Sequence, residues 1–268
     1  MENLSFAFLL TFLAGMATSL GAVLPFFIRK HGKTVLSAVL GFSAGVLVYL
    51  ALAGLLHESH ETLSEVYGTQ KGGLIAAAAF FAGAIIISFA DRISGSCHTF
   101  HKDHSGHDCD DHGHDGHDGK LLRAGLFTAI TLSIHNLPEG FAVFMSALKE
   151  PSMAVPMTIA VAAHNIPVGI AIAMPVYFAT RSKGKAFLYA FLTGLTELFG
   201  AVLGYLVFAP YLSETLFGIV FALSAGIMIF LSFDELLPAS REYGEHHLSL
   251  YGLFAGMAAM AITLVFAH

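Results

Sequence analysis

Charged residues and cysteines are scarce in this sequence of 268 residues. Asp, Glu, Lys and Arg make up 12% of the chain, whereas they make up roughly a quarter of soluble domains. Hydrophobic residues make up 56%, which excludes an ordinary soluble domain because one core cannot enclose so much apolar surface. The two cysteines, Cys97 and Cys109, lie in a His-rich stretch, so we expect metal ligation rather than a disulfide framework.

Positive charge is scarce as well. The chain has 13 Lys and Arg residues against 19 Asp and Glu residues, and its formal net charge is -6. It has no basic arm or patch of the kind that binds nucleic acid. Nucleic acid is therefore not an expected partner.

Long apolar runs predict eight transmembrane helices. A spanning helix needs roughly 20 mostly apolar residues, and we looked for such runs between charged, Gly-rich or Pro-rich segments. We place the spans at about 4–28, 35–56, 72–94, 121–147, 154–178, 186–212, 215–237 and 249–267. The first run is too long for a cleaved signal and starts without Lys or Arg, so we treat it as a span. The predicted fold class is an all-α integral membrane protein.

The distribution of Lys and Arg predicts the orientation of these spans. Eleven of these residues lie in, or next to, the loops after spans 1, 3, 5 and 7, and two, Lys71 and Lys149, lie on the other side. Cytoplasmic loops retain positive charge. We therefore expect the odd-numbered loops in the cytoplasm and both termini outside it.

Two pairs of segments resemble each other. Residues 12–15 (Phe-Leu-Ala-Gly) recur as residues 191–194 (Phe-Leu-Thr-Gly), and residues 43–45 (Ser-Ala-Gly) recur unchanged as residues 224–226. The first match relates span 1 to span 6, and the second relates span 2 to span 7. Five spans separate the copies, so they run in opposite directions. We predict an inverted repeat of helices 1–3 and 6–8 around a central pair, helices 4 and 5.

The central pair carries a repeated polar motif, His-Asn-x-Pro-x-Gly, at residues 135–140 and 164–169. Ionisable groups at the centre of a bilayer cost about 2.5–3.5 kcal/mol each, so they indicate function. His135 and Glu139 are four residues apart and share a helix face. Imidazole, carboxylate and amide donors suit borderline divalent cations. The candidate metal ligands are His135, Asn136, Glu139, His164, Asn165 and Glu197.

Residues 95–120 form a second candidate metal-binding segment, which we expect in the cytoplasm. It has almost no apolar side chains, so it cannot form a core and should be disordered until metal binds. Two roles are open for this segment: it is either a metal buffer or sensor, or a soluble linker. Its candidate ligands are His98, His101, His104, His107, His112, His114 and His117.

The end of span 2 also carries polar residues that could gather cations on the outer side. His57 and Glu61 are four residues apart, so they share a helix face. A cation entrance and an ordinary solvated helix end fit this pattern equally well.

The eight spans, the His-rich loop after span 3 and the tandem motif together resemble the ZIP (Zrt/Irt-like) family, especially its bacterial members. The resemblance covers nearly the whole chain, including residues 234–238, Asp-Glu-Leu-Leu-Pro. It implies one transmembrane transport domain over residues 1–268, located in a bacterial inner membrane. It also implies uptake of zinc, with iron, manganese, cobalt and cadmium as further candidates, through helices 4, 5 and 6. The metal is the transported substrate, and no organic cofactor is expected.

One residue departs from the family pattern. Val168 stands where the repeat places the counterpart of Glu139, and family members with two adjacent metal sites use that carboxylate as a shared ligand. We therefore expect a single site, formed by His135, Glu139 and His164 with contributions from Asn165 and Glu197.

Three other functions were weighed. An intramembrane zinc hydrolase is disfavoured because the chain has no His-Glu-x-x-His motif, and we interpret the protein as not an enzyme. A cation exporter would be expected to have six spans. A metal receptor that has lost transport stays open because of Val168. The expected partners are divalent metal ions and the lipid bilayer, and a homodimer is left open.

Overall fold

The computed structural model describes residues 2–23, 26, 32–93, 117–149, 151–243 and 246–267, and these ranges contain helices but no strand. The helices are α1 (Glu2–Val23), α2 (Gly32–Tyr49), α3 (Leu56–Tyr67), α4 (Thr69–Ile93), α5 (His117–Lys149), α6 (Pro151–Thr180), α7 (Lys183–Phe208), α8 (Glu214–Leu231), α9 (Leu237–Tyr243) and α10 (His246–Ala267). A short 3₁₀ turn, Ala209–Tyr211, follows α7.

Two of these helices continue into the next through a wider π-helical turn. Leu50–Leu55 joins α2 to α3, and Ser232–Leu236 joins α8 to α9. The residues that flank both π segments keep right-handed helical backbone angles, so α2–α3 and α8–α9 are continuous rods. The offset of 181 that relates Ser43 to Ser224 also relates Leu55 to Leu236, the last residues of the two π segments.

Seven helical segments among the described residues are long and apolar enough to cross a membrane. The chain is therefore an all-helical integral membrane protein, as the composition predicts. The seven segments are Leu4–Val23, Ser37–Tyr67, Thr69–Phe89, Ala154–Met174, Lys183–Phe208, Glu214–Arg241 and His247–Val265. The fourth predicted span, 121–147, corresponds to α5, which has 33 residues but is not among the seven. The count of eight thus stays a prediction.

The rods that contain α2 and α8 are longer than the sequence predicts. We expected span 2 to end near residue 56, yet the helix continues to Tyr67. The extension is amphipathic: Ser59, Thr62 and Leu63 are buried, and α3 packs against α4 and α8. Tertiary packing of this face stabilises helical structure that hydropathy alone does not reveal.

The helices pack in two groups. In the first group, α1 packs mainly against α6 and α7, and α5 packs mainly against α7 and α6. In the second group, α2 packs against α10, and α4 packs against α8 and α3. The two groups meet where α2 contacts α6 and where α5 contacts α8. The central pair of the sequence motif, α5 and α6, thus lies in the first group and borders the second.

Close helix contacts in the second group occur at glycines. A Cβ atom at Gly83 on α4 would collide with the carbonyl oxygen of Leu223 on α8, and a Cβ atom at Gly256 on α10 would collide with that of Phe42 on α2. Small residues allow backbones in membrane helices to approach this closely. Phe42 and Leu223 are again related by the offset of 181, so the two contacts correspond.

Candidate metal site

Five of the six predicted ligands have described side chains, and all five are buried in the first helix group. Asn136 and Glu139 lie on α5, His164 and Asn165 lie on α6, and Glu197 lies on α7. None of them is more than 2% exposed. The two copies of the motif and the acidic residue on α7 therefore converge inside the bundle.

A histidine and a carboxylate meet between α5 and α6. The His164 Nε2 atom lies 3.2 Å from Glu139 Oε1. Both groups come from the repeated motif, and each comes from a different copy. An imidazole nitrogen and a carboxylate oxygen at this separation are donors that zinc binds in proteins.

Asn165 joins three helices. Its Nδ2 amide donates a hydrogen bond to the backbone carbonyl of Ala14 on α1, at 2.9 Å, and another to Glu197 Oε1 on α7. Glu197 also lies beside Glu139, because the Glu197 backbone lies against Gly140, the residue that follows Glu139. Asn165 thus holds one of two neighbouring buried carboxylates.

Asn136 makes the corresponding contact on α5. Its Nδ2 amide donates to the backbone carbonyl of Thr193 on α7, at 3.0 Å. The Oδ1 atoms of Asn136 and Asn165 and the Oε2 atom of Glu197 have no hydrogen-bond partner among the described residues. Because an unsatisfied polar group in a bilayer costs several kcal/mol, these three oxygens fit a site for a cation.

The glycine of each motif copy lets the neighbouring helix approach. A Cβ atom at Gly140 would collide with the carbonyl oxygen of Glu197, and one at Gly169 would collide with that of Thr18. The motif glycines therefore allow α5 to lie against α7, and α6 against α1, at the level of the candidate ligands.

A family model described as ZIP Zinc transporter matches residues 97–264. Zinc transporter ZupT of Clostridium perfringens (strain 13 / Type A) is 43% identical over 276 residues, which cover 99% of this chain and 97% of that protein. The protein of the same name from Oceanobacillus iheyensis is 43% identical over 265 residues, 99% of each chain. The one from Streptococcus mutans serotype c is 42% identical over 264 residues, 98% of each chain.

The chain belongs to the ZIP family.

The resemblance inferred from the tandem motif is thus confirmed. The relatives of this ZIP protein carry the names of transporters, which agrees with the interpretation that the chain is not an enzyme.

Several predicted ligands of this ZIP protein lie outside the described residues. The backbone of His135 belongs to α5, but its side chain is outside the described part. The side chain of His117, at the start of α5, is outside it too. The rest of the predicted loop set also lies outside: His98, His101, His104, His107, His112 and His114.

Among the described side chains, no group of three or more His, Cys, Asp or Glu residues is close enough to hold a metal ion. The candidate donors among the described side chains are instead a His–Glu pair, a second Glu and two asparagines. Asparagine oxygens are neutral ligands, so a site that uses them carries less charge than a cluster of carboxylates.

Val168, the departure from the ZIP pattern, is enclosed by apolar side chains. It is 1% exposed and belongs to an apolar cluster with Ala22 on α1, Ala129 and Leu132 on α5, and residues of α7. The position that corresponds to Glu139 is therefore apolar and packed in this chain.

Two serines near the site were not singled out by their chemistry in the sequence. Ser43 on α2 donates to the backbone carbonyl of His164 at 3.3 Å, and Ser224 on α8 donates to that of Pro138 at 3.4 Å. Both belong to the matched Ser-Ala-Gly segments, and that match was the only signal that could have identified them. They link the two helix groups at the motif.

His57 and Glu61, which the sequence places on one helix face, lie together on α3. His57 Nε2 lies 3.3 Å from Glu61 Oε1, one turn along α3, and both side chains are about 60% exposed. The shared face is confirmed. A cation-gathering role for it stays a prediction.

Proposed function

We propose that this protein transports divalent metal cations, zinc above all, through the first helix group into the cytoplasm. The observation that carries the proposal is the buried contact between Glu139 on α5 and His164 on α6, beside the hydrogen bond from Asn165 on α6 to Glu197 on α7. The names of the zinc transporters that match almost the full chain support it.

The charges of the site suit a divalent ion. Glu139 and Glu197 supply two neighbouring carboxylates, so a bound divalent cation neutralises both in a medium where unpaired charge is costly. His164 supplies nitrogen, and we infer that His135 on the preceding motif supplies a second imidazole. Asn136 and Asn165 supply oxygen. Mixed nitrogen and oxygen donors accept zinc, and they also accept iron, manganese, cobalt and cadmium.

We infer that α5 is a further span, so that the chain crosses the membrane eight times as an inverted repeat around α5 and α6. Several paired contacts support the repeat. Asn165 donates to the carbonyl of Ala14 as Asn136 donates to that of Thr193, and Ala14 and Thr193 hold the same place in the matched segments. Repeats of this kind allow one helix group to rock against the other around a central site.

We further infer the orientation and location. The Lys and Arg residues after the odd-numbered spans favour both termini outside the cytoplasm. The bacterial zinc transporters that match the chain favour a bacterial inner membrane. The His-rich residues 95–120 then lie on the cytoplasmic side, where transported metal arrives.

We propose that the site holds one metal at a time. A second, adjacent metal would need a shared carboxylate beside His164, and Val168 is apolar and enclosed there. A structure with two bridged ions between α5 and α6 would contradict this.

The test is metal uptake into proteoliposomes by the purified chain. Glu139→Gln and His164→Ala should each abolish most zinc uptake, because each removes a ligand while keeping the fold. Glu65→Gln and His247→Ala are matched controls, since both residues are exposed, and their uptake should equal that of the native chain. Zinc uptake that survives in Glu139→Gln and in His164→Ala would refute the proposed site.

Val168 favours one alternative, a metal receptor that binds without transport. Its signature is saturable zinc binding by the native chain, lost in Glu139→Gln, together with no uptake into proteoliposomes. Zinc uptake by the native chain would exclude it.

A further inference from the structure

Thr18 on α1 is a buried polar residue that the sequence motif does not include. Its side chain is 0% exposed, and its Oγ1 atom has no hydrogen-bond partner among the described residues. A threonine in a helix commonly donates to the carbonyl four residues earlier. Thr11 on the same helix does so, to Ala7 at 2.9 Å. Thr18 does not.

The carbonyl that Thr18 would use is already occupied. It belongs to Ala14, and it accepts the 2.9 Å hydrogen bond from Asn165. Asn165 is also the residue that binds Glu197. The hydroxyl of Thr18 is therefore left without its usual partner by a contact that builds the metal site.

Thr18 lies at the same helix crossing as Glu197. A Cβ atom placed on Gly194 would lie 3.3 Å from the Cβ of Thr18, and one placed on Gly15 would lie 3.4 Å from the Cβ of Glu197. The two side chains thus flank the contact between α1 and α7 from opposite helices. The offset of 179 that relates Gly15 to Gly194 relates Thr18 to Glu197.

The neighbours of Thr18 repeat those of Glu197. The carbonyl of Thr18 lies against Gly169 as the carbonyl of Glu197 lies against Gly140. The residue before Gly140 is Glu139, and the residue before Gly169 is Val168. By the repeat, the carboxylates of Glu139 and Glu197 therefore correspond to the apolar side chain of Val168 and the hydroxyl of Thr18.

We propose that Thr18 is a neutral oxygen ligand of the transported cation in the half of the site formed by α1 and α6. The inference rests on the proposed transport function and adds a residue to it. A hydroxyl holds a divalent cation more weakly than a carboxylate does. This half of the site therefore takes the cation on its way through and releases it readily, as a transport path requires.

Hydroxyl oxygen suits manganese better than zinc, because zinc takes nitrogen ligands more readily. Removing it should therefore affect manganese most. Thr18→Val keeps the shape of the side chain and removes the oxygen, whereas Thr18→Ser keeps the oxygen. Thr11→Val is the matched control, because Thr11 is equally buried on α1 but its hydroxyl is bonded to the backbone.

The experiment measures KM and kcat for Mn²⁺ and Zn²⁺ uptake in proteoliposomes. We expect Thr18→Val to raise the KM for Mn²⁺ by about fivefold, the size expected for one neutral polar contact. The KM for Zn²⁺ should rise less, and Thr18→Ser and Thr11→Val should behave like the native chain. Equal KM values in Thr18→Val and the native chain, or equal losses in Thr18→Val and Thr11→Val, would overturn the proposal.

Failure of the proposed function gives a different result. If the native chain takes up neither metal, the proposed transport function fails. The role of Thr18 is then tested by Mn²⁺ binding to the purified native and Thr18→Val proteins. Both proteins carry the same His-rich loop, so any difference in their Mn²⁺ affinity reports Thr18. Weaker binding by Thr18→Val supports the ligand, and equal binding overturns it.

Discussion

Gly15 on α1 and Gly194 on α7 face each other so closely that a Cβ atom on either would collide with the carbonyl oxygen of the other. The two glycines also hold the same position in the matched segments of the sequence. A reciprocal contact between equivalent residues is what a two-fold relation between repeats produces at its axis. Thr18 and Glu197 lie one turn further along these helices.

Gly194→Ala should destabilise the protein by about 1–3 kcal/mol, the usual cost of overpacking a close contact. The added methyl group meets backbone atoms of α1, which cannot rotate away. The measurement is the thermal unfolding temperature in detergent. Gly184→Ala is the control, because the nearest atom to a Cβ there is Ser182 Oγ at 3.9 Å. Equal unfolding temperatures for the two variants would contradict the close approach.

Asn165→Asp should reduce zinc uptake far more than Asn136→Asp. In the first variant, an acceptor replaces the amide that donates to both Ala14 and Glu197, so a new carboxylate faces an existing one. In the second, the amide lost had donated to the carbonyl of Thr193. We expect kcat/KM for zinc uptake to be lower in Asn165→Asp than in Asn136→Asp by about tenfold or more. Similar uptake by the two variants would show that the contact with Glu197 does not matter.

Val168→Glu should create the carboxylate that the repeat lacks. We expect it to lower the KM for zinc by about tenfold and to make added zinc raise the unfolding temperature more than in the native chain. Val168→Gln is the control of equal size, and it should lose stability through burial of a polar group without gaining affinity. If both variants respond to zinc alike, the position does not face the metal.

Deleting residues 98–114 should leave zinc uptake intact while reducing the metal retained by the purified protein. The segment carries many of the predicted loop ligands but none of those in α5, α6 or α7. Uptake and bound zinc, measured on the same preparation, separate the two effects. Complete loss of uptake in a well-expressed deletion would show that the loop takes part in transport itself.

The sequence predicted a buried set of candidate ligands because polar residues stand out in apolar helices. Asn136, Glu139, His164, Asn165 and Glu197 were all recognised in this way, and all are buried in one helix group. Their hydrogen-bond partners were not predicted, because those partners are backbone carbonyls that any residue supplies.

The proposed ligand Thr18 was not recognised in the sequence, because a threonine in an apolar helix normally donates its hydroxyl to a backbone carbonyl of the same helix. The extension to Tyr67 was missed because it depends on packing against α4 and α8 rather than on hydropathy. The π segments were missed because no residue type specifies them.

The π segments fix the rotational phase of two rods. Each residue of an α-helix turns the following side chains by about 100°. A π turn closes i→i+5 hydrogen bonds, so it holds one residue more than an α-helical turn. Removing one residue from Leu50–Leu55 would therefore leave a regular α-helix, in which Leu63 still faces α8. Removing a residue elsewhere in this rod, where no π turn absorbs the change, would rotate α3 by about 100° relative to α2. A deletion of one residue should thus be tolerated in these turns far better than in the α-helices that they join.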